Sequence, residues 1–441
     1  MTPRPVPMVL SRRNLVKLAA LTGLGAGLTA CGRGFGGGGD GSEGGGVQLN
    51  MVWWGDASRA QKTQAALDIF QKKNPGVTVK TEYQDSGPYK DKLATRFAAG
   101  DPPDLMMMRM DSLREYADRG ALLDLNRHTG AVGVSGLSES VKSLAAVGDK
   151  NYGIASGLNT IGFVVNRTLT EKYGVKIPDG NTWGWKDLAT FAREISEASG
   201  KKVYGTGFEP ATLANIIVYT RQRGEDFYTS DGRLGISEAT IVAWFEMVEA
   251  MRKEGGFPPA GFFENIGGGA EQSYLAKGTL ASQIIPTNNF LSYNAAAGGN
   301  LALLRMPGET TEKRRGQSID TPALWSIAAQ SKHQAEALKL LDFLINDPDA
   351  SKATGTTRGV PANAEVAAEV KPSLPHDDQV ATDYLIALQK EDLPRAYTYP
   401  PGSSAIASSL ESIATEVEFG RQTPQQAARA FLDAGRKALG G

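Results

Sequence analysis

Chemistry in this sequence concentrates at Trp53-Trp54-Gly55-Asp56, where two indole rings stand beside a flexible residue and a carboxylate. The group follows a short apolar run that reads as a strand, and the ends of strands in α/β sheets are where ligands bind. Catalytic constellations are harder to find. The three histidines, His128, His333 and His376, lie far apart with no acidic or cysteine partner at metal-ligand spacing, which argues against a zinc or other transition-metal centre. There is no Gly-x-Ser-x-Gly elbow, no phosphate-cradling Gly-x-x-x-x-Gly-Lys and no Gly-x-Gly-x-x-Gly at a strand end. Ser199-Gly200-Lys201-Lys202 has the Ser-x-x-Lys spacing of penicillin-interacting enzymes, but without their companion motifs it reads as a chance match at a helix end. No cofactor is implied.

The tryptophan pair must be held by the segment from Val47 to Met108. Val47, Leu49, Met51 and Val52 predict a strand, and Ala66, Leu67, Ile69 and Phe70 predict a helix over about 58–70 with Ser58 available as its cap. Asn74-Pro75-Gly76 stops that helix, and Val77, Val79, Thr81 and Tyr83 alternate as a strand. A second helix opens near Pro88, with Leu93 and Phe97 inward, before the apolar run Leu105 to Met108 makes a buried parallel strand. Trp53 and Trp54 are strand neighbours and face opposite sides, so one enters the core; Trp54 is the better candidate for a ligand. Further on, the pattern predicts strands at 161–165, 204–208, 280–285, 301–306 and 321–328. Helices are predicted at 187–199, 211–223, 237–253, 332–345, 381–389, 405–419 and 424–439. The alternation argues for α/β with parallel sheets. Ser156-Gly157-Leu158-Asn159, Pro307 and Thr356-Thr357-Arg358-Gly359 are the candidate crossings between two lobes. Trp183 and Trp185, just before a helix, suit packing, and Met106 to Met108 suit core filling.

The chain has 441 residues, suited to two lobes, and 41% hydrophobic with 22% charged residues describes a soluble globular protein. With 47 Lys+Arg against 48 Asp+Glu there is no basic excess to suggest a nucleic-acid partner. Residues 1–30 read as an export address. Ser11-Arg12-Arg13-Asn14-Leu15-Val16 resembles a twin-arginine signal, with Leu15 in place of the commoner aromatic, so general secretion stays open as the route. Leu28-Thr29-Ala30-Cys31 looks like a lipoprotein cleavage box, and Cys31 is the only cysteine, placed to accept a diacylglycerol thioether. Residues 31–46, nearly all glycine, then form a flexible tether above the membrane. Removing residues 1–30 takes away four basic residues and no acids, which leaves a net charge of −5 and gives the anchoring to the lipid rather than to surface charge.

Several segments in this order resemble family 1 extracellular solute-binding proteins of sugar ABC importers, the maltose and multiple-sugar group. They are the lipoprotein box, the glycine tether, Trp-Trp-Gly-Asp, Phe70 to Val77, Lys92-Leu93 to Leu105, Tyr152-Gly153-Ile154, Val165-Asn166-Arg167 and Ser331 to Leu344. The resemblance implies a two-lobed α/β fold of the periplasmic-binding-protein-like type II class with three interlobe crossovers. It assigns 47–157 and 308–355 to an N-terminal lobe and 158–307 and 356–441 to a C-terminal lobe. It implies a carbohydrate ligand in the cleft, ABC permease subunits as partners, a monomer outside the cytoplasm, and no catalysis. Aromatic faces cover the C–H faces of sugar rings while planar polar groups bond adjacent hydroxyls in pairs. On the family's pattern the contacts are Trp53, Trp54, Asp56 and Arg59 after the first strand, Tyr89 at a helix start, and Arg109 and Asp111 after the third strand. Asn159 comes from the first crossover, Glu209 from a Glu-Pro pair, Asn289 and Phe290 from a return loop that lacks the relatives' tryptophan, and Trp325 and Arg358 from segments facing the cleft. A binding protein for a non-sugar solute and a secreted carbohydrate hydrolase, which needs two carboxyls flanking one bond, are the rival readings.

Overall fold

The computed structural model describes residues 46–440 apart from 111, 230, 264–269 and 396–398. Residues 1–45, including Cys31, and the candidate Asp111 therefore lie outside the described residues. β1 (Val47–Trp54) sinks Leu49, Met51, Val52 and Trp53 into the core and pairs in parallel with β2 (Val77–Gln84) and β3 (Leu105–Met108). β3 is buried along its whole length, as its uninterrupted apolar sequence requires. The helix between β1 and β2 runs Ala57–Lys73, so it begins ahead of Ser58 and outlasts Phe70. Its cap is Asp56, whose Oδ1 accepts the Arg59 N–H at 2.7 Å, in place of Ser58.

A small hairpin of β4 (Ala146–Val147) and β5 (Lys150–Asn151) leads to β6 (Ile154–Ala155), which carries the chain to the first crossing. Beyond it β7 (Ile161–Asn166), β8 (Ser282–Pro286) and β9 (Leu301–Leu304) form a second sheet in the order β8-β7-β9. β10 (Leu324–Ile327) then returns to complete the first sheet, ordered β2-β1-β3-β10-β6. Each sheet carries its own apolar core. The first gathers Leu49, Phe70, Met106 and Leu341; the second is rich in rings, with Trp185 edge-on to Trp244 at 5.8 Å between centroids. Trp183 and Trp185 are both packed there, and each indole N–H finds an acceptor, Arg305 O and Gln222 Oε1 respectively.

Several expectations are corrected by this architecture. The sheets are not parallel throughout: β10 runs against β3 and β6, and β7 against both β8 and β9. Direction follows from the crossings, because β1, β3 and β6 run toward the hinge whereas β10 leaves it, and in the second sheet β7 leaves the hinge while β8 and β9 return. Residues 204–208 form no strand of their own and meet the sheet through the bridges Tyr204 to Leu280 and Gly207 to Gln283 and through Ser282 Oγ, which donates to Gly205 O at 2.7 Å. Gly205 lies so close to the backbone of Ala192 that a Cβ there would approach within 2.2 Å, so this segment packs by backbone contact on a helix instead of extending a ladder. The second crossing is not at Pro307. Met306 stays in the second core, Met306 N donates to Gln317 Oε1 at 3.0 Å, and the chain leaves only at Ser318 to Thr321. The tail is also divided differently, since Val360, Ala367, Leu385 and Leu388 belong to the first core before the helices Ser403–Glu418 and Pro424–Ala438 pack on the second.

Candidate functional site

Three segments of backbone pass between the lobes side by side. Leu158 and Val360 exchange both N–H···O bonds, at 2.6 and 3.0 Å, and Asn159 and Asp320 do the same at 2.8 and 2.7 Å. Two glycines make this spacing feasible: a Cβ on Gly157 would fall 2.3 Å from Arg358 O, and one on Gly359, at φ +102°, 2.3 Å from Leu158 O. Side chains tighten the crossing. Thr321 Oγ1 donates to Gly157 O at 2.8 Å and Thr160 Oγ1 to Ser318 O at 2.7 Å, while Asn159 Oδ1 accepts from Thr287 Oγ1 at 2.8 Å and Asn288 N at 3.1 Å.

A cavity of about 120 Å³ opens against these segments. Its floor is Asn159, Thr160, Ser318 and Asp320; the helix Leu213–Gln222 supplies Ala214, Ile217, Val218 and Arg221; Ile161, Pro286 and Tyr399 complete it. Arg221 is almost wholly buried and is held by carbonyls, with Nη2 donating to Arg395 O at 2.6 Å. Loss of water pushes the Asp320 carboxyl above the usual carboxylate range, against the opposing pull of the Thr321 N–H and of Arg221. A carboxyl, a guanidinium, an amide and a phenol around aliphatic walls can bond neighbouring hydroxyls of a polar ligand while covering its C–H surface.

Among the residues predicted from the sequence, Asn159 is the one that lines this cavity. Asn289 lies two residues beyond Thr287 in the same loop, half-buried. A second group gathers around the start of the helix Ala57–Lys73. Trp54 is half-buried with its ring centroid 5.3 Å from that of Tyr89, Asp56 is exposed, and Arg59 Nη2 donates to Thr357 O at 2.8 Å. Arg109, half-buried, follows β3, the strand paired with β1. Glu209 is exposed just before the helix Leu213–Gln222; partial desolvation, then Glu411 and Glu418, push its pKa up.

Five predicted contacts belong instead to the interior. Trp53 is in the core, stacked on Tyr83 at 6.1 Å, as strand alternation demands once Trp54 faces out. Tyr89 is buried, its hydroxyl donating to Met107 O at 2.7 Å, so it backs Trp54 and offers no face of its own. Phe290 fills a small core with Val164, Leu275 and Ile285. Trp325 and Arg358 are both buried, the guanidinium carbon 5.2 Å from the indole centroid. Conversely, sequence reasoning missed Thr160, Arg221, Asp320 and Tyr399. Arg221 did leave a signal, a cation closely following the apolar turn Ile216-Ile217-Val218-Tyr219.

Among the described residues no helix is long and apolar enough to cross a membrane, and no group of three or more His, Cys, Asp or Glu could hold a metal ion. Comparison with known proteins gives a consistent picture. The model of the family described as bacterial extracellular solute-binding protein matches residues 53–350. An extracellular solute-binding protein family 1 structure from Alicyclobacillus acidocaldarius is 25% identical with a TM-score of 0.78, covering 90% of this chain and 99% of that one. A periplasmic oligogalacturonide binding protein from Yersinia enterocolitica is 24% identical with a TM-score of 0.76, over 89% of this chain and 99% of its own. An ABC substrate-binding protein from Listeria monocytogenes, in complex with cycloalternan, is 20% identical with a TM-score of 0.69, over 90% and 99%. The two-lobed fold, its three crossings and a family match that spans most of the folded part agree, and this chain belongs to the bacterial extracellular solute-binding protein family.

Proposed function

We propose that this protein captures an oligosaccharide or monosaccharide between its lobes and delivers it to the permease of an ABC importer, without catalysis of its own. The observation that carries the reading is the cavity that opens against the crossings, where Asn159, Asp320 and Arg221 stand among aliphatic walls. One relative of the same fold is solved with saturated digalacturonic acid and another with cycloalternan, which supports a saccharide. Asn159, Asp320 and Arg221 would bond hydroxyls, with Trp54, Asp56, Arg59, Arg109, Asn289 and Glu209 contributing as the lobes close. Asp111, two residues after Arg109, belongs to the same proposal. Closure needs contacts made in the closed state and absent from the open one, and ligands bridging the crossings and the Trp54 edge would supply them.

The protein would be exported and held to the outer face of the cell membrane by a lipid on Cys31, acting as a monomer. Cys31→Ser should then release it from the membrane fraction. The ligand class is tested by thermal shift against a saccharide panel followed by calorimetry, since a ligand stabilises its receptor by mass action. Binding of a charged non-sugar with no saccharide bound at micromolar concentration would overturn the substrate class. Cleaved oligosaccharide in the same mixtures would overturn the non-catalytic reading.

A further inference from the structure

Arg358 is set apart from the other buried cation of the hinge, Arg221, by what surrounds it. Its side chain is 5% exposed and sits beside a cavity of about 30 Å³ shaped by Thr63, Ser156, Trp325, Ser351 and Thr354. Nη2 donates to Thr63 Oγ1 at 2.8 Å, whereas Nε and the Ser156 hydroxyl, both buried on the same cavity, have no hydrogen-bond partner. Among the described residues no carboxylate lines this space. The nearest charges repeat the sign: Arg59 acts on Arg358 directly, and Lys62 reaches toward Gly355 at the cavity rim. The acids in the neighbourhood are otherwise occupied, Asp56 as a helix cap and Asp378 with Thr356 and Lys62. Burial with Arg59 alongside lowers the Arg358 pKa to about 9, so the folded state holds this cation at a cost.

We infer that this cavity is a binding site for a small monovalent anion of halide size, held by the Nε–H of Arg358 and the hydroxyls of Ser156 and Ser351. The volume exceeds what a single water needs and admits one somewhat larger sphere, and of the candidates of that size an anion answers both the orphaned donors and the uncompensated charge. The site ties the third crossing, through Arg358, to the first, through Ser156, and to the helix Pro348–Thr354. An anion there would stiffen the hinge irrespective of which solute the cleft takes.

The test uses the full-length chain in bromide, chloride or gluconate at one ionic strength. The expected result is a bromide anomalous-scattering peak within hydrogen-bonding distance of Arg358 Nε, and an unfolding midpoint that rises by ~1–2 °C per tenfold increase in chloride above saturation. Arg358→Met should abolish that dependence, and Ser351→Ala, which leaves the guanidinium in place, should shift its concentration range upward. Electron density for a water with no anomalous signal, or midpoints that follow chloride and gluconate equally in the unsubstituted protein, would overturn the inference even if the variants fail to fold. Neither readout involves a sugar, so failure here is distinct from failure of the saccharide reading.

Discussion

Replacing Arg358 with methionine in halide-free solution should leave the protein as stable as before or make it more stable. The guanidinium is 5% exposed and its pKa falls from the ordinary arginine value to about 9. At ~1.4 kcal/mol per pH unit, that fall is an electrostatic penalty of roughly 5 kcal/mol at most. Against it stand the contact with Trp325, with the guanidinium carbon 5.2 Å from the ring centroid, worth ~0.5–2 kcal/mol, and the bond to Thr63, worth ~1.5–3 kcal/mol. Methionine keeps much of the volume and can still rest on the indole. The expected net change in urea unfolding at pH ~7 therefore lies between zero and a gain of ~3 kcal/mol, with an unchanged m-value. The sign of the pH dependence is a stricter check. Above about pH 9, and up to the ordinary arginine value, the unfolded chain keeps the Arg358 proton while the folded chain has released it, so the stability of the unsubstituted protein rises through this window. The Arg358→Met variant has nothing to titrate at this position, and its advantage should shrink by ~1.4 kcal/mol between about pH 8 and about pH 10. A loss of more than ~1 kcal/mol at neutral pH, or an advantage that grows with pH, would refute the view of Arg358 as a desolvated, uncompensated cation.

The remaining expectations separate ligand contacts from interior supports. Trp54→Ala should weaken saccharide binding by about tenfold in calorimetry, the scale of one aromatic face, and unchanged affinity would remove Trp54 from the cleft. Asp320→Asn keeps the shape of the hinge cavity but removes an ionisable acceptor; an affinity loss of about ten- to a hundredfold with little change in melting would place its carboxyl on the ligand, and no loss would take it away. Phe290→Ala should cost ~3–5 kcal/mol of stability with saccharide selectivity intact, because the ring fills a core. Tyr89→Phe should cost ~1–3 kcal/mol in denaturant unfolding by removing the buried bond to Met107 O, and a variant as stable as the original would contradict the buried hydrogen bond.

How far the sequence could be read depends on the range over which each feature is encoded. The alternation of Trp53 and Trp54 is a property of two adjacent residues on a strand, and it separates an inward indole from an outward one without reference to any tertiary contact. Leu105 to Met108 likewise declares a buried strand by composition alone. The crossings are not local in this sense. Pro307 breaks a strand and so looks like an exit, but the chain stays because two side chains of the loop fold it back on itself. Gln317 Oε1 accepts from Met306 N at 3.0 Å, and Glu309 Oε1 accepts from Gly316 N at 3.0 Å. The real exit at Ser318 to Thr321 is specified by its partner Asn159, far back in the chain. The same displacement explains the missed site residues, since Asp320 becomes a candidate only once the second crossing is put where it is. Arg358 shows the opposite failure. Its type and position on the third crossing suggest a ligand contact, yet Gly157 and Gly359 let the backbones approach so closely that the side chain is turned beneath the hinge, onto Trp325 and Thr63. There the charge is enclosed without an acid among the residues that line its cavity. Burial of that kind is costly for the folded state unless something negative joins it, and the unpartnered Nε of the guanidinium and the Ser156 hydroxyl mark where it would sit.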